Sequence, residues 1–504
     1  MIRQWFRSGT PWIWLTGGAV TISFVMVVGV LGLIAIRGFS HFWPQDVAQV
    51  EIVDLQTAER TVVLGEIVRS EIVPGQVARD AGNYIPEEDI GQTVRRYLFK
   101  QGNRDQLGSD FVWHLELGME DFTYPQDVYV LERREWGNFY GFPTALQRDG
   151  DTVVQAGDAN FDLQVQEAVE RSTALHDSIK EIEKGEVGTI NNQLEALRLE
   201  ARRMELRGDS GAERAERETD MASERERLNA EYAVLRAELD DLYERTRRDT
   251  LRLEMANGEV VDISLATIVR AIKVNDLSVW GKIGQYIDHI WEFLSGEPRE
   301  ANTEGGIFPA IFGTVTMVML MSVIVTPFGV LAAIYLREYA KQGLVTRIIR
   351  VSVYNLAGVP SIVFGVFGLG FFVYFLGGNI DDLFFQAAQP SPTFGSPGLF
   401  WASLTLALLT LPVVIVSTEE GLARIPSTIR QGSLALGATK SETLWKVVVP
   451  LATPAMMTGL ILAIARAAGE VAPLMLVGVV KLAPSLPIDG NFPYVHLERK
   501  IMHL

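Results

Sequence analysis

The 504-residue sequence predicts an α-helical polytopic membrane protein with five spans, carrying an inserted extracytoplasmic α+β domain that contains a long coiled-coil helical hairpin. Three observations predict it. Five apolar stretches reach the roughly 20 residues that cross a bilayer: Trp12 to Ile36, Ile311 to Leu336, Val351 to Leu376, Leu399 to Val416 and Pro454 to Val480. Charge segregates, since residues 40–300 hold 52 acidic and 30 basic side chains and the remainder holds 10 and 15. An acidic soluble region therefore interrupts a mildly basic membrane protein. Inside that region apolar residues recur at heptad spacing. The absence of cysteine excludes a disulfide scaffold, thiolate metal sites and thiol chemistry.

The expected divisions are an N-terminal anchor at 1–40, a β-rich region at 41–160, a coiled-coil hairpin at 161–254, a return hairpin and interfacial helix at 255–300, a membrane core at 301–480 and a tail at 481–504. Lys and Arg near span ends orient the chain. Arg3 and Arg7 precede the first span, Arg337, Lys341, Arg347 and Arg350 follow the second, and Arg424, Arg430, Lys440 and Lys446 follow the fourth. By the positive-inside rule these segments are cytoplasmic. The stretch from Gly377 to Gly398 has Asp381 and Asp382 and no basic residue, so it and the acidic insert face outward. The first span reads as an uncleaved anchor, because its apolar run exceeds a signal-peptide core and no clear A-x-A site follows. The N-terminus is then cytoplasmic, and the tail, too polar to return, ends outside.

In the insert, alternating runs such as "RTVVLGEIVRSEIV" and "DVYVLERREW" predict strands. Ile190, Leu194, Leu197, Ala201 and Met204, then Leu228, Tyr232, Leu235, Leu239 and Leu242, predict two helices joined at "RGDSGAE", 207–213. "LRLEMANGEVVDISL" predicts a hairpin with Asn257-Gly258 in a type I′ turn. In "LSVWGKIGQYIDHIWEFL", Val279, Trp280, Ile283, Ile287, Ile290, Trp291 and Leu294 lie mostly on one face, as in a helix on a membrane surface or one packed in a core.

The cytoplasmic loop 417–454 predicts a helical centre, with Leu434, Leu436, Ala438, Leu444 and Val447 packed inward and Pro450 ending the helix. Gly432 and Gly437 have the spacing of a phosphate-binding loop, yet Ala438 stands where its lysine is required, so no nucleotide site is expected. Gly437 followed after nine residues by Val447-Val448-Val449-Pro450 is similar to the "EAA" loop of permease subunits of bacterial ABC importers. "NTEGGIFPAIFGTVTMVML", "TPFGVLAAIYLREYA", "GVPSIVFGVFGLGFF" and "LAIARAAGEVAPLM" resemble the phosphate-specific branch, the PstA family, from about Asn302 to Gly478.

The resemblance implies a non-catalytic permease subunit of an ATP-driven phosphate importer in the bacterial inner membrane. Its implied partners are a second, PstC-like permease, a cytoplasmic PstB-like ATPase dimer, a periplasmic PstS-like phosphate-binding protein and membrane lipid. No cofactor, metal or nucleic acid is expected. Contact with the ATPase is implied for Gln431, Gly432, Ser433, Gly437, Val447 and Pro450. The sequence departs from the family in three ways. Gln431-Gly432-Ser433 replaces Glu-Ala-Ala, Val416 stands where several relatives are basic, and the sequence stops before the family's sixth span, so a truncated or incomplete chain is expected.

Arg466 and Glu470 lie within the fifth apolar run, four residues apart and so on one helical face. An ionisable group at membrane depth costs about 2.5–3.5 kcal/mol, which pairing lowers for both. One reading is an ion pair that locks helix packing. The other makes Arg466 a transient contact for phosphate, which guanidinium matches in geometry, while Glu470 orients it and tempers the affinity. Two alternatives for the whole chain are a permease for another oxyanion, sulfate or molybdate, and a membrane sensor or scaffold with a coiled-coil outer domain.

Overall fold

An apolar helix of 31 residues, α1 (Thr10–Ser40), leads into the structured insert, with Pro11 in its first turn where a missing N–H costs nothing. The computed structural model describes residues 8–87, 89–120, 122–300 and 304–478. It divides into one unit comprising Met1–Asp177 and Leu242–Phe308 and a second comprising Ser178–Asp241 and Pro309–Leu504.

Among the described residues the first unit holds two large antiparallel sheets and a two-stranded ribbon, Pro298–Arg299 with Glu304–Gly305. One large sheet is a meander of β1 (Val47–Val53), β2 (Arg60–Pro74), β3 (Thr93–Lys100) and β4 (Phe111–Leu115). The other comprises β5 (Tyr129–Arg133), β6 (Phe139–Arg148), β7 (Asp151–Gln155), β8 (Asp249–Glu254), β9 (Val260–Ser264) and β10 (Ile268–Ile272). Their order is β10-β5-β6-β8-β9, with β7 also paired to β6. Helix α2 (Phe161–Glu181) places Phe161, Val165, Ala168 and Val169 against Leu131, Phe139, Leu251 and Leu253, all buried. Their spacing is that of one helix face on a sheet. Asn275 ties β1 down by donating to the Val47 and Pro125 carbonyls and accepting the Val47 N–H at 2.8 Å.

The β8–β9 turn differs from the expected type I′. The Gly258 N–H reaches the Met255 carbonyl, and Gly258 alone in the turn has positive φ, +82°. Asn257 keeps negative φ, which makes a three-residue loop ending in a left-handed glycine. After Ser278, whose hydroxyl accepts the Gly281 N–H, α5 (Val279–Ser295) runs to the return toward the second span.

In the second unit α3 (Gly188–Arg207) and α4 (Ala212–Arg247) begin the hairpin pairing, with α3 continuing the helix of α2 through a π-turn, Ile182–Val187. Left-handed Gly208 stops α3, and the Asp209 N–H returns to the Met204 carbonyl. Ile190, Leu228 and Leu235 meet in the seam with Leu194 and Leu197 around them. Ala201 and Tyr232 are exposed, so the predicted heptad contacts do not run unbroken. Leu199, on another face, packs on Ala387 and Ala388.

Among the described residues four further helices are long and apolar enough to span a membrane: α6 (Phe308–Tyr339), α8 (Ser361–Phe384), α9 (Leu399–Arg424) and α11 (Lys440–Ala468). The expected third span began too early. Val351 to Leu356 belong to a separate amphipathic helix, α7 (Leu344–Leu356), because Pro360 and the turn before it break the chain. The expected fifth span ran too far, since its helix ends at Ala468 and resumes only as α12 (Leu474–Val477). Pro473, which lacks an N–H and constrains the residue before it, sits at that break. The part of that run beyond Gly478, and the tail, lie outside the described residues.

Helices α9 and α11 pack through small residues. A Cβ on Gly421 would meet the Ala455 Cβ at 2.4 Å, and one on Gly459 would meet the Ser417 Oγ at 1.7 Å. Gly459, Ala463 and Ala467, buried at intervals of four, form one stripe of α11. Without a strong hydrophobic drive in lipid, such close backbone approach supplies the association energy.

Candidate coupling loop and intramembrane ion pair

The α9–α11 connection is built from short, well-anchored pieces. Helix α10 (Ser427–Ala435) carries Gln431, Gly432 and Ser433, and the turn after it needs Gly437 at φ +88°. Thr439 and Glu442 then form a reciprocal capping box that starts α11. The Ser433 and Thr443 hydroxyls lie 2.9 Å apart, bonding α10 to the first turn of α11.

Pro450 does not end this helix, contrary to the sequence expectation. A π-turn at Leu444–Val448 immediately precedes it, and the helix continues to Ala468. The wider turn accommodates a ring that would otherwise clash with the carbonyl four residues back. Leu444 is buried with Val448, Leu422, Ile425 and Ile334, while Val447 is half-buried. Leu434 and Leu436 are not packed inward as expected. Leu436 is 91 % exposed at the tip of the turn, where Gly437 reverses the chain.

Two ion pairs that sequence spacing did not reveal hold this region. Arg430 donates to Glu338 Oε1 at 2.9 Å and to the Leu422 and Ile425 carbonyls at 2.7 Å. It therefore caps the open carbonyl end of α9 and fastens α10 to the end of α6. Lys440 adds a bond to the Glu338 carbonyl at 2.5 Å and lies over the Tyr339 ring at 4.5 Å. Arg350 of α7 meets buried Glu419 of α9 at 2.5 Å, so a cation reaches this level although Val416 is apolar. The signal in the sequence was only Arg350 and Arg430 beside span ends, which the positive-inside rule already explained, while nothing in the spacing singled out Glu338 or Glu419 as their partners.

Arg466 and Glu470 are brought together, although not on one continuous helix. Arg466 lies in the last turn of α11, and Glu470 follows Gly469, past the helix end. Arg466 Nε is 3.6 Å from Glu470 Oε1, longer than a hydrogen bond. Among the described residues that carboxylate is the only ionic partner of Arg466, and no hydrogen bond engages its guanidinium. Both side chains are partly buried. The broken segment is itself closely packed. A Cβ on Gly365 would lie 2.8 Å from the Pro473 Cα, Val477 is buried with Val373 and Trp401, and its carbonyl accepts the Gly398 N–H at 3.0 Å. Pro450 and Arg466 stand on the same helix about 24 Å apart along its axis.

Residues 325–493 match the family described as binding-protein-dependent transport system inner membrane component. The chain is 32 % identical over 197 residues to the probable ABC transporter permease protein YqgH of Bacillus subtilis (strain 168), covering 39 % of this chain and 60 % of that one. It is 38 % identical over 188 residues to the phosphate transport system permease protein PstA of Mycobacterium leprae (strain TN), covering 37 % and 56 %. Likewise it is 38 % identical over 175 residues to PstA 1 of Mycobacterium tuberculosis (strain CDC 1551 / Oshkosh), covering 34 % and 52 %. The chain thus spans between about half and three fifths of the length of these curated relatives.

Proposed function

We propose that this chain is a permease subunit of an ATP-driven phosphate importer, in the bacterial inner membrane with its N-terminus cytoplasmic and its large insert periplasmic. It forms the translocation path beside a second, PstC-like permease. A PstB-like ATPase dimer drives it, and a PstS-like binding protein supplies phosphate. The similarity to phosphate transport permeases supports the class. The observation that carries the chemistry is the Arg466 guanidinium, whose donors the described protein groups leave unbonded while Glu470 stands 3.6 Å away.

A planar cation with free donors suits an oxyanion, which it grips with two parallel hydrogen bonds. Glu470 opposes that grip by competing for the same cation and repelling the anion, so phosphate is released rather than trapped. Exposed Gln431, Gly432 and Leu436, the turn at Gly437 and the helix through Val447 and Pro450 form the surface that meets the ATPase. Arg430 and Glu338 hold that surface to the spans, so displacement of α10 is passed to α9 and α6.

The test is uptake of labelled phosphate by vesicles containing the chain with its partner subunits. Arg466→Gln should abolish uptake while the complex still assembles, and normal uptake by this variant would end the proposal. Sulfate or molybdate that displaces phosphate and is itself taken up would reassign the substrate. Growth of a deletion strain on limiting phosphate, unaffected by the loss, would favour a scaffold instead.

A further inference from the structure

We propose that α5 lies in the outer lipid interface, with its tryptophan face in the bilayer and its polar face holding the first unit's sheet above it. The orientation of this helix is the reverse of that of an amphipathic helix docked on a soluble core. Its apolar stripe faces away from protein, with Trp280 81 %, Ile287 59 %, Trp291 70 % and Leu294 46 % exposed. These positions fall at i, i+7, i+11 and i+14, a narrow band of one helix face.

The protein-facing side is polar and engaged. Lys282 pairs with Asp46, and His289 lies 2.9 Å from Glu132 Oε1 and 3.2 Å from the Phe42 carbonyl. Glu292 bridges Arg270 at 3.3 Å and Arg299 at 3.0 Å. Ion pairs thus fix which face is left outward.

Continuity with two membrane spans identifies what covers that face. Just beyond the end of α1, the Phe42 ring packs on Phe293 at 5.0 Å and the Trp43 ring on Tyr286 at 5.9 Å. At the other end, the Ile307 N–H donates to the Phe293 carbonyl and the Phe308 N–H to the Gly296 carbonyl, and α6 begins at Phe308. Helix α5 is therefore tied to the end of one span and the start of the next, which places it at the level where both meet the headgroups. Indole rings favour that layer, having an apolar body and one N–H donor. Lipid is the occupant this geometry fits, and the inference does not depend on which solute is transported.

The full chain has no native cysteine, so single spin labels can be placed cleanly. Trp280→Cys, Ile287→Cys and Trp291→Cys variants, labelled and reconstituted in phosphatidylethanolamine–phosphatidylglycerol vesicles, would be compared for collision with oxygen and with a water-soluble nickel chelate. Val27→Cys in α1 serves as the lipid reference and Ser223→Cys in α4 as the water reference. All three α5 positions should favour oxygen severalfold, as at Val27. Nickel access equal to that at Ser223 would place the stripe in water. Shielding from both reagents would mean that protein covers it. Either result overturns the proposal.

Discussion

Arg430 on α10 donates to Glu338 at the end of α6 and also to the Leu422 and Ile425 carbonyls of α9, so one side chain joins three elements. Removing one partner of such a half-buried pair leaves the other charge unmet, at a cost of about 3 kcal/mol. Arg430→Ala should therefore reduce phosphate uptake by about tenfold or more, with Glu338→Gln close to it. Span insertion should remain intact. Uptake alongside protease mapping of the loop checks this, and unchanged uptake in both variants would show that α10 needs no anchor.

Gly437 adopts φ +88°, a conformation that costs a residue with a side chain about 1–2 kcal/mol. Gly437→Asp adds strain and a charge to the tip of the proposed ATPase contact. Pull-down of the ATPase subunit should fall sharply for this variant, whereas Gly157→Ala, in the insert and outside that contact, should retain it, since a Cβ there meets nothing within 4 Å.

Gly459 has no room for a Cβ beside Ser417, and Ala463 and Ala467 continue the same face. Gly459→Leu is expected to separate α9 from α11 and lower the amount of chain recovered from membranes. Met457→Leu, at an exposed position on the same helix, should have no effect, and equal yields for the two would refute the packing argument.

Glu470 faces Arg466 without hydrogen-bonding it. If it limits how tightly the anion is held, Glu470→Gln should lower the maximal uptake rate and the half-saturating phosphate concentration together. A lowered rate with a raised half-saturation value would assign Glu470 to positioning Arg466 instead.

Burial of His289 opposes its charged form, but the hydrogen bond to Glu132 and that carboxylate's charge outweigh it and hold the imidazole above its ordinary value. Gln285, Arg270 and the Phe42 carbonyl complete its surroundings. A raised histidine stabilises the fold fully below its unfolded value of about 6.5 and loses that contribution as pH rises through the folded value. The melting temperature of the full chain should therefore fall from pH 6 to pH 8, and His289→Gln should flatten that fall. An equally steep fall in the variant would place the titration elsewhere.

Hydropathy and charge in the sequence determined five apolar segments, the acidic insert and the break in pattern at the helical hairpin, because burial in lipid or exposure to water acts on runs of residues. The Arg466–Glu470 proximity was also legible, since four residues bring side chains together even where the helix ends between them. Tertiary structure decided what depends on neighbours. It placed Pro450 inside a helix by means of the preceding π-turn, turned Leu436 outward on a left-handed glycine and stopped the last span at Ala468. It also joined Arg430 to Glu338 and Arg350 to Glu419. Those pairs are separated by dozens of residues, and only the packing of α6, α7, α9 and α10 sets the distances on which their attraction depends.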